Sequence, residues 1–315
     1  MRDVLRRLVA GEMSEEQALA EIRRMQLDEL GGRARLDLGR YLRRGIPEVV
    51  LATGKSPQDA ARLAVRMAEQ LGQGLISRMS AAQRSALVAA SGAMRIVDYH
   101  SSARVLRAGF TPEPVEARVA IMTAGTSDVA VADEALMVVE ACGLEARLEA
   151  DLGVAGLHRF VGPLASLLEW GADVIIVAAG MDGVLPGLVA GLTDVPVIGL
   201  PVSTGYGRGG AGEGALTTML QSCSTGLTVV NIDNGVGAGA AAALIAARAA
   251  QGRRRGRSTA TIANTSAPTR SNPKNAAATV RDASAPPGRA KTAARRTTAK
   301  TTPASSHGKP RRGRP

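Results

Sequence analysis

The sequence feature that most constrains the fold is a regular alternation of short apolar runs and longer helical stretches between residues 117 and 250. The runs of strand length are 118–123, 145–150, 174–179, 196–201 and 227–232. The helical stretches between and after them are 129–141, 157–170, 185–192, 213–222 and 237–248. Near-continuous apolar strands separated by helices indicate a parallel sheet buried on both faces. The pattern therefore predicts an α/β fold, a doubly wound parallel sheet, over residues 113–250.

Residues 1–112 have a different pattern, which predicts a smaller, mostly helical α+β domain. Ser14 with Gln17 three residues later has the form of a capping box, and Ser56 followed by Pro57 opens a second helix. Short strands are expected at 48–52, 95–100 and 103–107. A Pro-Glu-Pro segment at 112–114 marks the boundary with the next domain.

The last 65 residues carry the excess charge of the chain. Of the net +11, residues 251–315 contribute 16 Lys or Arg against one acid, so residues 1–250 are mildly acidic. This segment has almost no large apolar residue, which predicts a disordered basic tail. Such a tail can neutralise phosphates without reading sequence, and it has no aromatic residue to stack on bases. Weak non-specific nucleic-acid contact and a solvated appendage are both compatible with this composition.

Several functional classes have little support in the composition. Two cysteines and three histidines leave almost no material for a disulfide framework or an all-protein zinc site, so the metal ligands are unknown. The N-terminus has no apolar core of a signal peptide, and no apolar run is long enough for a membrane span. We therefore expect a soluble cytoplasmic protein without membrane contact.

The loop after the first strand of the alternation is the first candidate binding segment. In such sheets ligands bind at the carboxyl ends of the strands. Here the loop supplies Gly125, Thr126, Ser127 and Asp128 directly before a helix. Small residues allow close backbone approach and a helix N-terminus favours an anion, but Ser127 or Asp128 would equally serve as N-caps. The two roles are compatible.

The loops after the second and third strands add three polar candidates. His158 and Arg159 open a helix, where they could hold a phosphate or lie on a solvated helix start. Asp182 lies in a glycine-rich turn, where a general-base role competes with ordinary turn chemistry.

The last two loops provide further candidates and exclude one class. Asp233 and Asn234 in the final loop could bind a ribose or phosphate. The glycine-rich segment 203–214 suits a backbone-lined binding loop or mere flexibility. The Gly-Lys-Ser triplet at 54–56 is preceded by Val49 where a phosphate-binding P-loop requires Gly, which excludes a P-loop NTPase.

The two cysteines differ in their setting. Cys142 ends an apolar helix and is expected to be core packing. Cys223 lies outside any apolar stripe, before a short β-branched run, so a nucleophilic role competes with packing there.

Taken in order, the segments 47–56, 123–128, 151–159, 180–186, 222–223 and 231–235 resemble one family closely. It is the nickel pincer cofactor biosynthesis protein family of LarB type, whose members are pyridinium-3,5-bisdicarboxylic acid mononucleotide synthases. The family is related in fold to the aminoimidazole ribonucleotide (AIR) carboxylases of purine synthesis. The resemblance covers roughly residues 20 to 245 and excludes the tail.

The resemblance implies a reaction on nicotinic acid adenine dinucleotide. The pyridinium ring would be carboxylated at C5 with carbon dioxide or bicarbonate, and the phosphoanhydride hydrolysed to release AMP. By resemblance Cys223 is the nucleophile that adds to C4, which makes C5 nucleophilic. Asp182 is the candidate base or carbon-dioxide-site residue, in a position where family members commonly carry Glu. Mg²⁺, held largely by substrate phosphates, is implied for the hydrolysis.

The related purine carboxylases provide the main alternative within the fold. They carry an essential His two residues before the Pro of the loop after the third strand, where this chain has Val184. In a simple doubly wound sheet, Cys223 lies at the edge opposite the ligand loops. For Cys223 to share a site with Ser127, either the helix before the last strand is irregular or a second subunit contributes. We expect a composite site in a homo-oligomer, for which the related carboxylases suggest an octamer. A non-catalytic assembly protein, or a nucleic-acid-associated protein acting through the tail, would be a different class.

Overall fold

The computed structural model describes residues 2–24, 28–30 and 34–265. Its N-terminal part contains helices α1 (Arg2–Val9), α2 (Glu15–Arg24), α3 (Arg40–Arg44), α4 (Pro57–Leu71) and α5 (Ala81–Ser91). Its strands are β1 (Asp28–Leu30), β2 (Ala34–Leu36), β3 (Val49–Leu51), β4 (Gln73–Ser77), β5 (Arg95–Tyr99) and β6 (Ser102–Leu106). The first two form an antiparallel pair, and the other four form a mixed sheet in the order β3-β4-β6-β5, in which only β3 and β4 are parallel.

The helix starts predicted in this part have the expected caps. The Ser14 backbone N–H donates to the Gln17 side chain and the Gln17 backbone N–H to Ser14 Oγ, at 2.9 and 3.1 Å. The Ser56 side chain accepts from the backbone of Asp59, with Pro57 at the first helical position. Strand β4 and helix α5 were not expected from the sequence. β4 is fully buried and carries a polar residue at each end, so no alternation of apolar and polar residues marks it.

The second part is a five-stranded parallel sheet with helices on both faces, as the sequence predicts. Its strands are β7 (Val115–Thr123), β8 (Leu144–Glu149), β9 (Val174–Ala179), β10 (Val197–Pro201) and β11 (Leu227–Val229). Its helices are α6 (Val129–Ala141), α7 (His158–Glu169), α8 (Leu185–Ala190), α9 (Glu213–Leu220) and α10 (Gly235–Thr265). The spatial order of strands is β11-β10-β9-β7-β8, and every neighbouring pair is parallel.

The two faces of this sheet bury separate apolar layers. One layer packs the face that carries Ile121 and Ile176 against α6 and α10, and it extends to Leu75 of β4. The other layer packs the face that carries Met122 and Val177 against α7, α8 and α9. Alternate residues of one strand therefore serve opposite faces, which explains why the strands are apolar throughout.

The N-terminal sheet is joined to α6 by a buried polar network. The Arg104 guanidinium donates to Gln73, Tyr99 and Glu140 at 3.1, 3.5 and 3.4 Å, and the Gln73 amide donates to the Ala141 carbonyl oxygen at 2.8 Å. Burial, together with the hydrogen bond to Glu140, raises the pKa of Tyr99 to about 12. The phenol is therefore neutral and holds its proton toward Glu140.

Helices α6 and α10 pack closely because α10 presents glycine at the contact. A Cβ placed on Gly235 would lie 2.2 Å from the Val131 carbonyl oxygen, and one on Gly239 would lie 2.6 Å from that of Ala135. Glycines four residues apart lie on one helix face, so the two backbones approach along a stripe that no larger residue can occupy.

Helix α10 extends past the residue at which the sequence predicts the tail to begin. The sequence predicts disorder from residue 251, but α10 continues to Thr265. Arg and Ala are strong helix formers, and two arginines of this extension find acidic partners. Arg253 pairs with Asp173, and Arg254 lies 3.5 Å from Glu116. The prediction for residues 266–315 lies outside the described residues.

Candidate functional site

A cleft of about 840 Å³ opens at the carboxyl edge of the parallel sheet. Its walls are the loops after β7 (124–128), β9 (180–185) and β10 (204–206), together with residues 153–155 after β8. The strand order reverses between β7 and β9, since β8 lies on one side of β7 and the later strands on the other. The cleft therefore occupies the topological switch point, where doubly wound sheets bind their ligands.

Asp128 ties two of these loops together. Its carboxylate accepts hydrogen bonds from the backbone N–H of Gly125, at 2.8 Å, and from that of Gly180. The side chain is buried, with the residue 4% exposed. Burial raises the pKa of Asp128, and the two N–H donors partly offset this shift. Asp128 thus links the loops after β7 and β9 across the switch point.

The loop after β9 is shaped by close backbone contact. A Cβ on Gly180 would lie 2.4 Å from the Thr204 carbonyl oxygen, and the Met181 backbone N–H donates to that same oxygen at 3.2 Å. Gly183 has a φ of 80°, and a Cβ there would lie 2.6 Å from Ala215 Cα. Asp182 lies between these two glycines and is exposed at the cleft.

The chemistry available in the cleft is limited. Among the described lining residues, the ionisable side chains are Asp128, Asp182 and Tyr206, and neither histidine nor a basic residue is present. Val184 lies in the lining. Asp182 is therefore the exposed carboxylate of the cleft, since Asp128 is committed to the backbone.

The candidate residues of the first loop lie in or beside the cleft. Gly125, Ser127 and Asp128 line the cleft, and Thr126 belongs to the same 3₁₀ turn, Thr126–Asp128, although it is not in the lining. The side chain of Asp128 does not cap α6; the Gly125 backbone and the neighbouring loop use it instead.

His158 and Arg159 lie beside the cleft rather than in its lining. Both are exposed at the start of α7, and the Arg159 guanidinium pairs with Asp151. A Cβ on Gly153, a lining residue, would lie 3.8 Å from Arg159 Nη1. The guanidinium of Arg159, four residues after this wall in the sequence, therefore lies next to the cleft.

Asp233 and Asn234 make hydrogen bonds to the backbone close to the cleft without lining it. Asp233 Oδ1 accepts from the Ser203 backbone N–H at 2.8 Å, and Asn234 Oδ1 accepts from the Gly237 backbone N–H at 2.9 Å. Asn234 is therefore the N-cap of α10, and Asp233 holds the start of the loop that follows β10. Neither side chain lines the cleft.

The two cysteines have opposite environments. Cys142 is buried, and burial raises the pKa of its thiol to about 12, so it is inert packing as expected. Cys223 is exposed but does not line the cleft. Its neighbours contact α8: Ser224 Oγ donates to the Gly187 carbonyl oxygen at 2.7 Å. Leu185, two residues before Gly187, lines the cleft.

Two exposed leucines lie near the Cys223 segment. Leu220, the last residue of α9, is 65% exposed, and Leu192, just after α8, is 60% exposed. Both lie within a few residues of the contact between the Cys223 segment and α8.

Two residues of the site carried too little signal in the sequence to be assigned. Tyr206 lines the cleft from within the glycine-rich segment 203–214, where its lone aromatic ring was the available clue. Arg78 contacts the Asp233 turn from the N-terminal domain. No local pattern marks that contact, because it joins residues 155 apart in the chain.

The described residues offer no ready-made metal centre. No group of three or more His, Cys, Asp or Glu side chains converges within residues 2–24, 28–30 and 34–265. Nor does any helix of these ranges combine the length and apolarity of a membrane span.

Comparison with known families agrees with this geometry. Residues 118–264 match the model of the AIR carboxylase family, and residues 27–109 match that of the LarB/PurE-like N-terminal domain. An uncharacterized protein of Methanocaldococcus jannaschii is 36% identical over 250 residues, which cover 78% of this chain and 96% of the relative.

Shorter matches reach purine enzymes. The N5-carboxyaminoimidazole ribonucleotide mutase of Thermotoga maritima is 34% identical over 91 residues, 28% of this chain and 51% of that protein. A probable mutase of the same kind from Methanothermobacter thermautotrophicus is 34% identical over 94 residues, 29% of this chain and 27% of that protein.

A cleft at the switch point of this fold, with its matched domains, defines a carboxylase or mutase-type enzyme. The chain belongs to the AIR carboxylase family and carries the LarB/PurE-like N-terminal domain.

Proposed function

We propose that this enzyme carboxylates the pyridinium ring of nicotinic acid adenine dinucleotide at C5 and hydrolyses the phosphoanhydride. The products would be AMP and a pyridinium-3,5-dicarboxylate mononucleotide. This product would be the first intermediate of a nickel pincer cofactor, as the resemblance to the LarB-type family implies. The proposal refines the carboxylase or mutase-type activity that the family defines.

One observation carries the choice of ring. The cleft presents one exposed carboxylate, that of Asp182, and Val184 where the purine carboxylases need histidine. The resemblance implies that this histidine is essential in the purine carboxylases, so Val184 at its position disfavours a purine substrate. A carboxylate beside an apolar wall suits a reaction in which carbon dioxide is attacked and one ring proton is then removed.

The chemistry also needs a soft nucleophile. A pyridinium C5 is electron-poor and cannot attack carbon dioxide. Addition of the Cys223 thiolate to C4 forms a C–S bond and converts the ring cation into a neutral enamine. C5 then forms a bond to carbon dioxide. Loss of the C5 proton to Asp182 expels the thiolate and restores the aromatic cation, so atoms and charge balance without an oxidant.

Cys223 must reach this ring from outside its own cleft lining. We propose that a second copy of the chain supplies it, in a homo-oligomer whose interface covers the exposed Leu192 and Leu220. The octamer of the related carboxylases is the assembly we expect. In a symmetric oligomer every subunit makes the same contacts, so each subunit would supply its Cys223 to the cleft of a neighbouring subunit.

Subunit mixing tests this arrangement. Each of the substitutions Asp182→Asn and Cys223→Ser should inactivate a composite site. In the proposed site the two residues come from different subunits. Co-expressed in equal amounts with different tags, the two variants should restore about a quarter of the wild-type sites, because random assembly pairs the intact halves that often. Mixed oligomers with no recovered activity would place both residues in one chain.

Mg²⁺ is proposed to enter with the substrate. The described residues form no three-ligand cluster, which fits a metal held mainly by the dinucleotide phosphates. Such a metal would neutralise charge on the anhydride during hydrolysis. Arg159 lies close enough to the 153–155 wall to contribute charge to the same phosphates, and His158 precedes it at the start of α7.

The test of function offers wild-type enzyme two substrates separately, each with bicarbonate and Mg²⁺. Nicotinic acid adenine dinucleotide should gain one carboxyl group by mass spectrometry and release AMP. Aminoimidazole ribonucleotide should remain unchanged. Carboxylation of the imidazole and not of the pyridinium would refute the proposal and establish the purine activity, which the similarity to the mutases favours.

The basic tail is proposed as an accessory polyanion contact only. Binding should be non-specific and should weaken steeply with salt, because it rests on phosphate neutralisation. Full-length protein and a variant ending at Thr265, which keeps the whole of α10, can be compared on immobilised DNA at low salt. Equal retention would leave the tail without this role.

A further inference from the structure

An arginine of the N-terminal domain reaches the turn that precedes α10. Arg78 follows β4 directly and has a left-handed backbone, with φ of 57°. Its Nε lies 3.0 Å from Glu134 Oε1, and its Nη2 donates to the Asp233 carbonyl oxygen. One guanidinium therefore holds a side chain of α6 and a backbone carbonyl of the last loop at the same time.

Glu134 fixes the orientation of this guanidinium. It lies on α6 with only 3% of the residue exposed, packed against the start of α10. Burial raises the pKa of Glu134, and Arg78 counteracts the shift by favouring the charged form. An arginine can satisfy two acceptors in fixed directions because its donors form a planar fork, whereas a lysine presents a point charge.

The Asp233 turn in turn holds a wall of the cleft. Asp233 also has a left-handed φ of 57°, its backbone N–H donates to the Pro201 carbonyl oxygen at 2.8 Å, and its Oδ1 accepts from the Ser203 N–H at 2.8 Å. Ser203 is followed immediately by residues 204–206, which line the cleft.

We propose that Arg78 is a positioning residue, through which the N-terminal domain sets the 203–206 wall of the cleft. It acts on Asp233, and Asp233 acts on Ser203; Arg78 itself touches no cleft atom. The N-terminal domain then contributes to the shape of the binding site. The geometric claim is independent of the proposed function, and only its effect on turnover rests on that function.

Hydrogen exchange tests the geometric claim with the full-length protein. Arg78→Ala and Arg78→Lys are compared with wild type for the peptide that contains the Ser203 amide. The control is Arg84→Ala, which removes a guanidinium of the same domain that pairs with Asp98 at 2.7 and 2.6 Å.

We expect Arg78→Ala to speed exchange of the Ser203 amide by about tenfold or more, because its protecting carboxylate is no longer held. Arg78→Lys should keep the Glu134 pair and the melting temperature but lose the Ser203 protection. Arg84→Ala should leave that amide unchanged. Unchanged Ser203 exchange in Arg78→Ala would overturn the proposal, as would full protection in Arg78→Lys.

Turnover supplies a second readout. In Arg78→Lys the Michaelis constant for nicotinic acid adenine dinucleotide should rise about tenfold while kcat changes little, since the wall contributes binding rather than chemistry. A lowered kcat with an unchanged Michaelis constant would contradict this. If wild type does not turn over this substrate, the proposed function fails, and the exchange experiment still decides the role of Arg78.

Discussion

Removal of the Asp128 carboxylate should loosen the switch point of the sheet. Asp128→Ala leaves the half-buried N–H group of Gly125 and the buried N–H group of Gly180 without their acceptor. An unsatisfied buried donor costs about 1–3 kcal/mol, so the two together predict a loss of about 2–6 kcal/mol in the free energy of unfolding, toward the lower end because the Gly125 N–H is only half-buried. Asp128→Asn keeps one acceptor oxygen and should lose about half as much.

Urea unfolding at fixed protein concentration measures this loss, since an oligomer's stability depends on concentration. Ser127→Ala is the matched control, because Ser127 is an exposed neighbour on the same turn and should change stability by less than about 0.5 kcal/mol. A loss below about 0.5 kcal/mol in Asp128→Ala would refute the account of this carboxylate as the link between the loops.

The contribution of Asp128 to stability depends on pH with a definite sign. Folding raises the pKa of Asp128 above its usual 3.8, so the folded state binds the proton more tightly than the unfolded state. The stability contributed by this group therefore falls as pH rises through the window just above 3.8. Asp128→Asn lacks this titration, and wild type should gain stability relative to it as pH is lowered through that window. The opposite trend would contradict the buried assignment.

Three further predictions follow from close contacts and burial. Gly180→Ala places a methyl group 2.4 Å from a backbone oxygen of the next loop and should abolish ligand binding in a folded protein. The control Gly162→Ala meets nothing within 4 Å and should be neutral or slightly stabilising. Calorimetric titration compares the ligand binding of the two variants, and thermal melts compare their stability. Gly239→Ala should lower stability by about 1–3 kcal/mol in urea, because it separates α10 from α6, and an unchanged midpoint would count against that packing. An alkylating thiol reagent should modify Cys223 but not Cys142 in the native protein, and rapid native labelling of Cys142 would contradict its burial.

The parallel sheet was predictable because its signal is local. The strands 174–179 and the helix 129–141 match β9 and α6 to the residue, since apolar runs bounded by glycine and polar turns repeat five times. The loops at their carboxyl ends then follow from topology, which is why Ser127, Asp128 and Asp182 fall in one cleft.

Most of the remaining features depend on contacts between distant parts of the chain. β4 was missed because burial on all sides leaves no periodic pattern in it. α5 was missed although Ser80 and Gln83 form a capping box of the same kind as Ser14 and Gln17, a local signal that the sequence does contain. The end of α10 was placed too early because the partners of Arg253 and Arg254 lie about 80 and 140 residues away. The role of Arg78 has the same character.

The site itself was predicted only in part. Composition could nominate Asp233 and Asn234 as polar loop residues, but it could not show that one holds a backbone turn and the other caps α10. Cys223 lies outside the lining of the cleft, which fits its place in the chain between a helix and the following strand, whereas the exposure of Leu192 and Leu220 was not predictable from the sequence.

The measurement that tests the central proposal most directly is isotopic. Wild type, Cys223→Ser and Cys142→Ser are incubated with nicotinic acid adenine dinucleotide, Mg²⁺ and ¹³C-bicarbonate, and the mononucleotide product is analysed by mass spectrometry. We predict a single ¹³C carboxyl on the pyridinium ring from wild type and Cys142→Ser, and a rate at least about 10³-fold lower from Cys223→Ser. Two results would contradict the proposal: labelled product formed by Cys223→Ser at the wild-type rate, or no labelled product from any of the three proteins.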